Sequence, residues 1–133
     1  TRFHLRFRTP TCFRTRGMDY PLPDPLLVFQ SWLNHWNTFA PPPQRINVAL
    51  LDLVAAHVAV GRYGGHTEMV KFGDRQRMVG FVGTVRYVVV RHWKLEEAWL
   101  RKLNALADYA PYCGTGCRTT QGMGQTEGMM NGE

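Results

Sequence analysis

Near the end of the chain runs Cys113-Gly114-Thr115-Gly116-Cys117-Arg118-Thr119-Thr120-Gln121-Gly122-Met123-Gly124-Gln125, four glycines set among hydroxyl side chains with one arginine. Without β-carbons in the way, backbone N–H groups can come close to an anion, so phosphate binding is the chemistry this segment suits. Two familiar phosphate motifs are excluded by spacing. The third glycine of a dinucleotide fingerprint would fall at Thr119, and no helix is expected to follow the segment. A P-loop would need Gly-Lys-Ser/Thr, which is missing. The alternative is a connection whose glycines serve only tight turning.

The formal net charge is +6. Arg2, Arg6, Arg8, Arg14 and Arg16 all precede the first acid, Asp19. Such a distribution fits an acidic partner such as nucleic acid, and equally an ordinary basic surface. A single histidine can serve as a general acid or base. No Lys, Tyr or second His is visibly paired with His35, His57, His66 or His92, however, so each is expected to be packed or solvated and none is assigned as catalyst. Cys113 and Cys117 lack the second ligand pair of a zinc site, so neither a metal nor a cofactor is expected. Three cysteines leave one unpaired in any disulfide scheme, which suits a reducing cytoplasm. No apolar run approaches the ~18 residues of a membrane span and no leader pattern opens the chain, so no membrane partner is expected.

These residues must be positioned by elements that the hydrophobic pattern marks out. Thr1–Arg8 alternates, with Phe3, Leu5 and Phe7 on one face and Arg2, His4, Arg6 and Arg8 on the other, which predicts a strand. Pro10 and Gly17 bracket a turn region. Asp24 followed by Pro25 signals a helix start, Phe29, Trp32, Leu33, Trp36 and Phe39 continue at helical spacing, and Pro41–Pro43 ends the run. Ile46, Leu50, Leu53 and Val54 fit a short helix or a buried strand. Strands are expected over His57–Tyr63 and Thr67–Phe72 around a turn or bulge at Gly64-Gly65, and a longer one over Arg77–Arg91. Leu95, Trp99, Leu103, Leu106 and Ala110 predict a second long helix ending near Pro111, and the Gly-rich segment leads to a short last strand.

The order is βαββαβ, an α+β ferredoxin-like arrangement: a four-stranded antiparallel sheet with two main helices on one face. One domain is expected over residues 1–126, with 127–133 a flexible tail. The Arg77–Arg91 strand is apolar on both sides, so Val82, Val88 and Val90 or the opposite set should form an apolar patch that something else covers.

Four stretches resemble, in the same order, the CRISPR-associated endoribonucleases of the repeat-associated mysterious protein superfamily. They are Leu5–Arg14, Pro21–Trp32 continuing to Trp36-Asn37, Val79–Gly83, and the Gly-rich piece from Leu106 to Gln125. The resemblance implies an enzyme of two ferredoxin-like domains that binds CRISPR repeat RNA and cuts its precursor without metal, by 2′-hydroxyl attack on the scissile phosphate. It also implies that this chain is the C-terminal domain, and that the catalytic histidine lies in an N-terminal domain outside it. Gly114, Gly116, Gly122 and Gly124 would then shape an RNA-facing loop, with Arg118, Thr119 and Thr120 on phosphate or base edges. Arg2, Arg6 and Arg8 would line the same cleft or be solvated. The implied partners are repeat RNA, the N-terminal domain and, for some members, a CRISPR effector complex or a second copy. A non-catalytic RNA-binding subunit of such a complex, and a ferredoxin-like interaction domain without RNA, are the alternatives.

Overall fold

The computed structural model describes residues 1–130. Strand β1, Arg2–Thr11, shows the alternation its sequence predicts: Phe3, Leu5 and Phe7 are buried, and Arg2, Arg6 and Arg8 are exposed. The region between Pro10 and Gly17 is more than a turn. Strands β2, Phe13–Thr15, and β3, Met18–Tyr20, pair as a small hairpin. Its corner residues Arg16 and Gly17 both have positive φ, 52° and 73°, the geometry that matches the right-handed twist of flanking strands.

Helix α1, Pro25–Phe39, starts where the sequence predicts. The Asp24 carboxylate accepts from the N–H groups of Leu26 and Leu27 at 2.9 and 3.4 Å, a cap worth about 1 kcal/mol. After the prolines the chain is pinned back on the helix. Asn37 accepts from the Ile46 N–H and donates to the Ile46 carbonyl, both at 2.8 Å. The ambiguous apolar run resolves as a helix, α2, Leu50–His57, with Leu50 and Val54 buried. Helix α3, Glu97–Cys113, carries Pro111 in its last turn, and the Gly114 N–H bonds to the Ala110 carbonyl to close it.

Strands β4, Val58–Phe72, β5, Gln76–Val89, and β6, Thr126–Gly128, complete a sheet of order β4-β5-β1-β6, antiparallel throughout. With the helices packed on one face, this is the ferredoxin-like βαββαβ fold. The core joins Phe3, Leu5 and Phe7 to Val28, Phe29, Trp32 and Leu33 of α1, Val85, Tyr87 and Val89 of β5, and Leu103, Leu106 and Ala110 of α3. The buried Tyr87 hydroxyl donates to the Pro23 carbonyl at 2.8 Å, and burial, then Asp24, pushes its pKa well up.

Three expectations need correcting. First, Gly64-Gly65 interrupts nothing. β4 runs through it, and the irregularity in its pairing lies between Val60 and Arg62. The glycines there serve close approach: Gly65 faces Gly83, and a β-carbon on Gly65 would meet the Val82 carbonyl and come 2.9 Å from the Gly83 Cα. Second, the described part of the expected tail is paired. Glu127 and Gly128 belong to β6, and the Met129 N–H bonds to the His4 carbonyl at 2.7 Å. Residues 131–133 lie outside the described ones. Third, the face away from the helices is no apolar patch. Val82 and Val88 are half-buried there, interleaved with Thr84 and Arg86 and flanked by Arg2, His4 and Arg6 of β1 and Arg62 of β4.

The Gly65–Gly83 crossing predicts a contrast within one dipeptide. Gly65→Ala should cost roughly 1–3 kcal/mol because backbone must move. Gly64→Ala, which has nothing within 4 Å of the new carbon, should stay within about 0.5 kcal/mol. Urea unfolding of both variants measures the difference.

Candidate nucleic-acid interface

Helix α3 ends at Cys113, and Gly114, with φ 73°, turns the chain out of it. The next residue, Thr115, goes inward. Its buried hydroxyl accepts from the Trp32 indole N–H at 2.8 Å and lies 2.7 Å from the Thr126 hydroxyl, which itself bonds to the Gly124 carbonyl at 2.8 Å. Each hydroxyl has one proton, so the direction is fixed: Trp32 donates to Thr115, Thr115 to Thr126, and Thr126 to Gly124.

The loop backbone is occupied in the same way. The N–H groups of Thr115, Gly116, Cys117, Gly124 and Gln125 bond to the Gly124 carbonyl, the Ser31 hydroxyl, the Cys12 carbonyl, the Pro10 carbonyl and the Thr9 hydroxyl, all at 2.9–3.0 Å. A β-carbon at Gly116 would meet the Cys12 carbonyl, and one at Gly124 the Thr115 carbonyl. These two glycines let the loop lie against its own domain, and the neighbouring N–H groups are not held open for a phosphate. The exposed part is the short turn Thr119–Gln121 and Gly122, whose surroundings are open.

The expected site residues separate into distinct places around this loop. Arg8, Gly114, Thr119 and Thr120 line one cleft of about 470 Å³, which His35 and Glu127 share. Gly116 lies on a second cleft, between the β2–β3 hairpin and α1. Arg118 faces a third, of about 520 Å³, together with Arg14, Arg75 and Arg77 and the single acid Asp19. Its guanidinium is held there: it donates to Gln121 Oε1 at 2.9 Å and Gln76 Oε1 at 3.3 Å, and sits 4.7 Å over the Phe72 ring. Arg14 pairs with Asp19 at 3.0 Å, so the other three arginines face no further acid among the residues lining the cleft. Arg6 and Arg8 both reach Glu127, at 3.1 and 3.7 Å, on the open sheet face. On that face two cross-strand neighbours, His4 and Arg86, carry buried nitrogens with no hydrogen-bond partner among the described residues, Nδ1 and Nε.

Several of these features escape the sequence. Arg14, Arg75 and Arg77 are ordinary arginines until the β4–β5 hairpin end and the β2–β3 hairpin bring them to Arg118. His35 Nδ1 contacts the Tyr109 hydroxyl at 2.6 Å across 74 residues of chain, a pairing no local pattern announces. The other histidines of interest are engaged elsewhere: His57 with the Val90 carbonyl at 3.0 Å, His66 with Glu68 at 2.8 Å, and His92 against Trp93. Among the described residues no three His, Cys, Asp or Glu gather as metal ligands, and no helix is long and apolar enough to cross a membrane.

Comparison with known proteins places this geometry. Residues 5–126 match the family described as CRISPR-associated endoribonuclease Cas6. A CRISPR-associated endoribonuclease Cas6 from Streptococcus thermophilus is 28% identical over 124 residues, 93% of this chain and 49% of that protein. A solved Cas6 product complex superposes with TM-score 0.84 at 30% identity, covering 97% of this chain and 51% of the other. The Thermus thermophilus Cas6 structure gives 0.84 at 27% identity, covering 96% and 53%. The chain thus spans about half the length of the relatives it matches.

Thr115→Val tests the loop anchor. It removes the acceptor of a buried indole and the donor to Thr126, and should destabilise the domain by about 1–3 kcal/mol. Thermal or urea unfolding reads the loss, and tryptophan fluorescence should report a changed Trp32 environment before unfolding.

Proposed function

We propose, for a chain that belongs to the CRISPR-associated endoribonuclease Cas6 family, that it binds CRISPR repeat RNA and forms the C-terminal half of an enzyme that cuts the guide-RNA precursor. One observation carries this reading: Arg14, Arg75, Arg77 and Arg118 converge on a single cleft beside the Gly-rich loop. An RNA backbone is a polyanion that releases counterions when arginines replace them, which is what such a cleft does best. Arg118 is a prepared contact, its plane fixed by Phe72 and two glutamine carbonyls, so little side-chain freedom is left to lose on binding. Thr119, Thr120 and Arg8 offer hydroxyl and guanidinium donors along the adjoining cleft. That solved relatives are described as product and substrate-mimic complexes supports an RNA-handling role.

In this reading the chemistry is metal-independent: a general base takes the proton of the 2′-hydroxyl as it attacks the scissile phosphate, and an acid protonates the leaving 5′-oxygen. The histidine for it comes from an N-terminal domain outside this chain, in keeping with a match to only about half of each relative. One feature favours a second reading. His35 and Tyr109 sit in contact beside the Arg8 cleft, which pairs a candidate base with a phenol inside reach of the proposed RNA path.

Binding of labelled repeat RNA should weaken as salt rises. Arg77→Ala or Arg118→Ala should flatten the slope of log K against log salt by about 0.7 for each single-stranded phosphate that the variant no longer neutralises. Arg101→Ala, an exposed residue paired with Glu97 on α3, should leave the slope unchanged. Affinity indifferent to salt overturns the reading. In the same mixtures the RNA should remain intact. Cleavage by this chain that vanishes in His35→Ala would move the catalyst to His35.

A further inference from the structure

A second, smaller core lies apart from the main one, built from Cys12, Met78 and Met123 with Val70, Phe72 and Cys117 packed against it. Within it the sulfur atoms of Cys12 and Cys117, 105 residues apart in sequence, are 3.3 Å from each other. The backbone is already joined at this point, because the Cys117 N–H bonds to the Cys12 carbonyl at 3.0 Å. We propose that Cys12 and Cys117 are an oxidant-sensitive dithiol, and that peroxide converts it to a disulfide fastening the Gly-rich loop to the end of β1.

The geometry asks for little. The sulfur atoms must close from 3.3 Å to a bonded separation of roughly 2.05 Å, a movement within reach of side-chain rotation when the backbones are hydrogen-bonded neighbours. Cys113 is left out: its sulfur lies 3.1 Å from the Gly114 carbonyl and belongs to the main core. The two partners differ in access. Cys12 is fully buried and Cys117 half-exposed, so peroxide reaches Cys117. Burial, then the adjacent Cys117, pushes the Cys12 thiol up to about 12, which keeps it protonated and leaves Cys117 as the thiol that meets peroxide first.

The steps balance. The Cys117 thiol loses its proton and the thiolate attacks one oxygen of hydrogen peroxide. The O–O bond breaks, leaving a sulfenic acid on Cys117 and a hydroxide that takes up the proton as water. The Cys12 sulfur then attacks the Cys117 sulfur, the S–O bond breaks, and the departing hydroxide leaves as a second water with the Cys12 proton. Two thiols are oxidised and one peroxide is reduced to two waters. The link would close most of the chain into a loop, where the constraint on the unfolded state is large, and it lies one residue from Arg118. Its basis is the geometry of the two sulfurs and not contact of the loop with RNA.

Treating the native chain with hydrogen peroxide, alkylating the remaining thiols and mapping peptides by mass spectrometry tests this. The expected product is a Cys12–Cys117 linked peptide lacking two hydrogens, with Cys113 alkylated, and a melting temperature raised by several degrees until a dithiol reductant restores it. Cys117→Ser should abolish both link and shift, and Cys113→Ser should leave both. Cys12 is too buried to be a safe variant, so Cys117 carries the comparison. A link through Cys113, one formed only in denaturant, or Cys117 advancing to sulfinic acid beside a free Cys12 would overturn the assignment.

Discussion

A buried indole N–H must find an acceptor or forfeit the hydrogen bond it had with water. In this fold that acceptor is one hydroxyl. Trp32 sits at the centre of α1 with no exposed surface, and the Thr115 side chain has to come inward to meet it. For Thr115 to do so, the loop after α3 must turn sharply at Gly114 and then pass close enough to β1 for Gly116 to rest on the Cys12 carbonyl. The same hydroxyl chain continues through Thr126, at the start of β6, to Gly124. Helix, loop and last strand are therefore held by one short relay, and the exposed turn that follows Arg118 is where it is because the rest of the loop is not free to move.

This changes what the glycines mean. A Gly-rich segment near arginine invites the idea of backbone N–H groups cradling a phosphate. Here most of those groups are satisfied within the domain, and the charge that meets an anion comes from side chains. The loop acts as a mount. It places Arg118 against Phe72 and Gln76 of the β4–β5 hairpin, and so joins the cationic end of that hairpin to the arginine of the β2–β3 hairpin. The open sheet face adds to the charge, because a strand whose inward residues are Phe3, Leu5 and Phe7 necessarily turns Arg2, Arg6 and Arg8 the other way.

The dependence of the cleft on two hairpins also bears on family relationships. The chain matches about half of each relative, and that half forms a four-stranded ferredoxin-like sheet with its own core. The sheet face away from the helices is cationic, with Arg2, Arg6 and Arg8 exposed on it.

Local rules were enough for much of this. Asp24 and Pro25 start α1, alternation sets the faces of β1, and the stripe from Leu95 to Ala110 sets α3, because caps and hydrophobic periods act over a few residues. They also give the βαββαβ order, while the family came from the resemblance of four stretches in series. They failed where the cause lay far along the chain. Gly64-Gly65 resembles a turn until Gly83 is seen opposite it, and 127–130 resembles a tail until β1 offers Thr126–Gly128 its hydrogen bonds. The four-arginine cleft, the His35–Tyr109 contact and the Cys12–Cys117 pair belong to the same class. Each joins residues separated by tens of positions, and no local preference of either partner encodes the meeting. The sequence determined the main elements and the buried faces of β1, α1 and α3, whereas only packing decided the β2–β3 hairpin, the buried face of β5 and what the elements bring together.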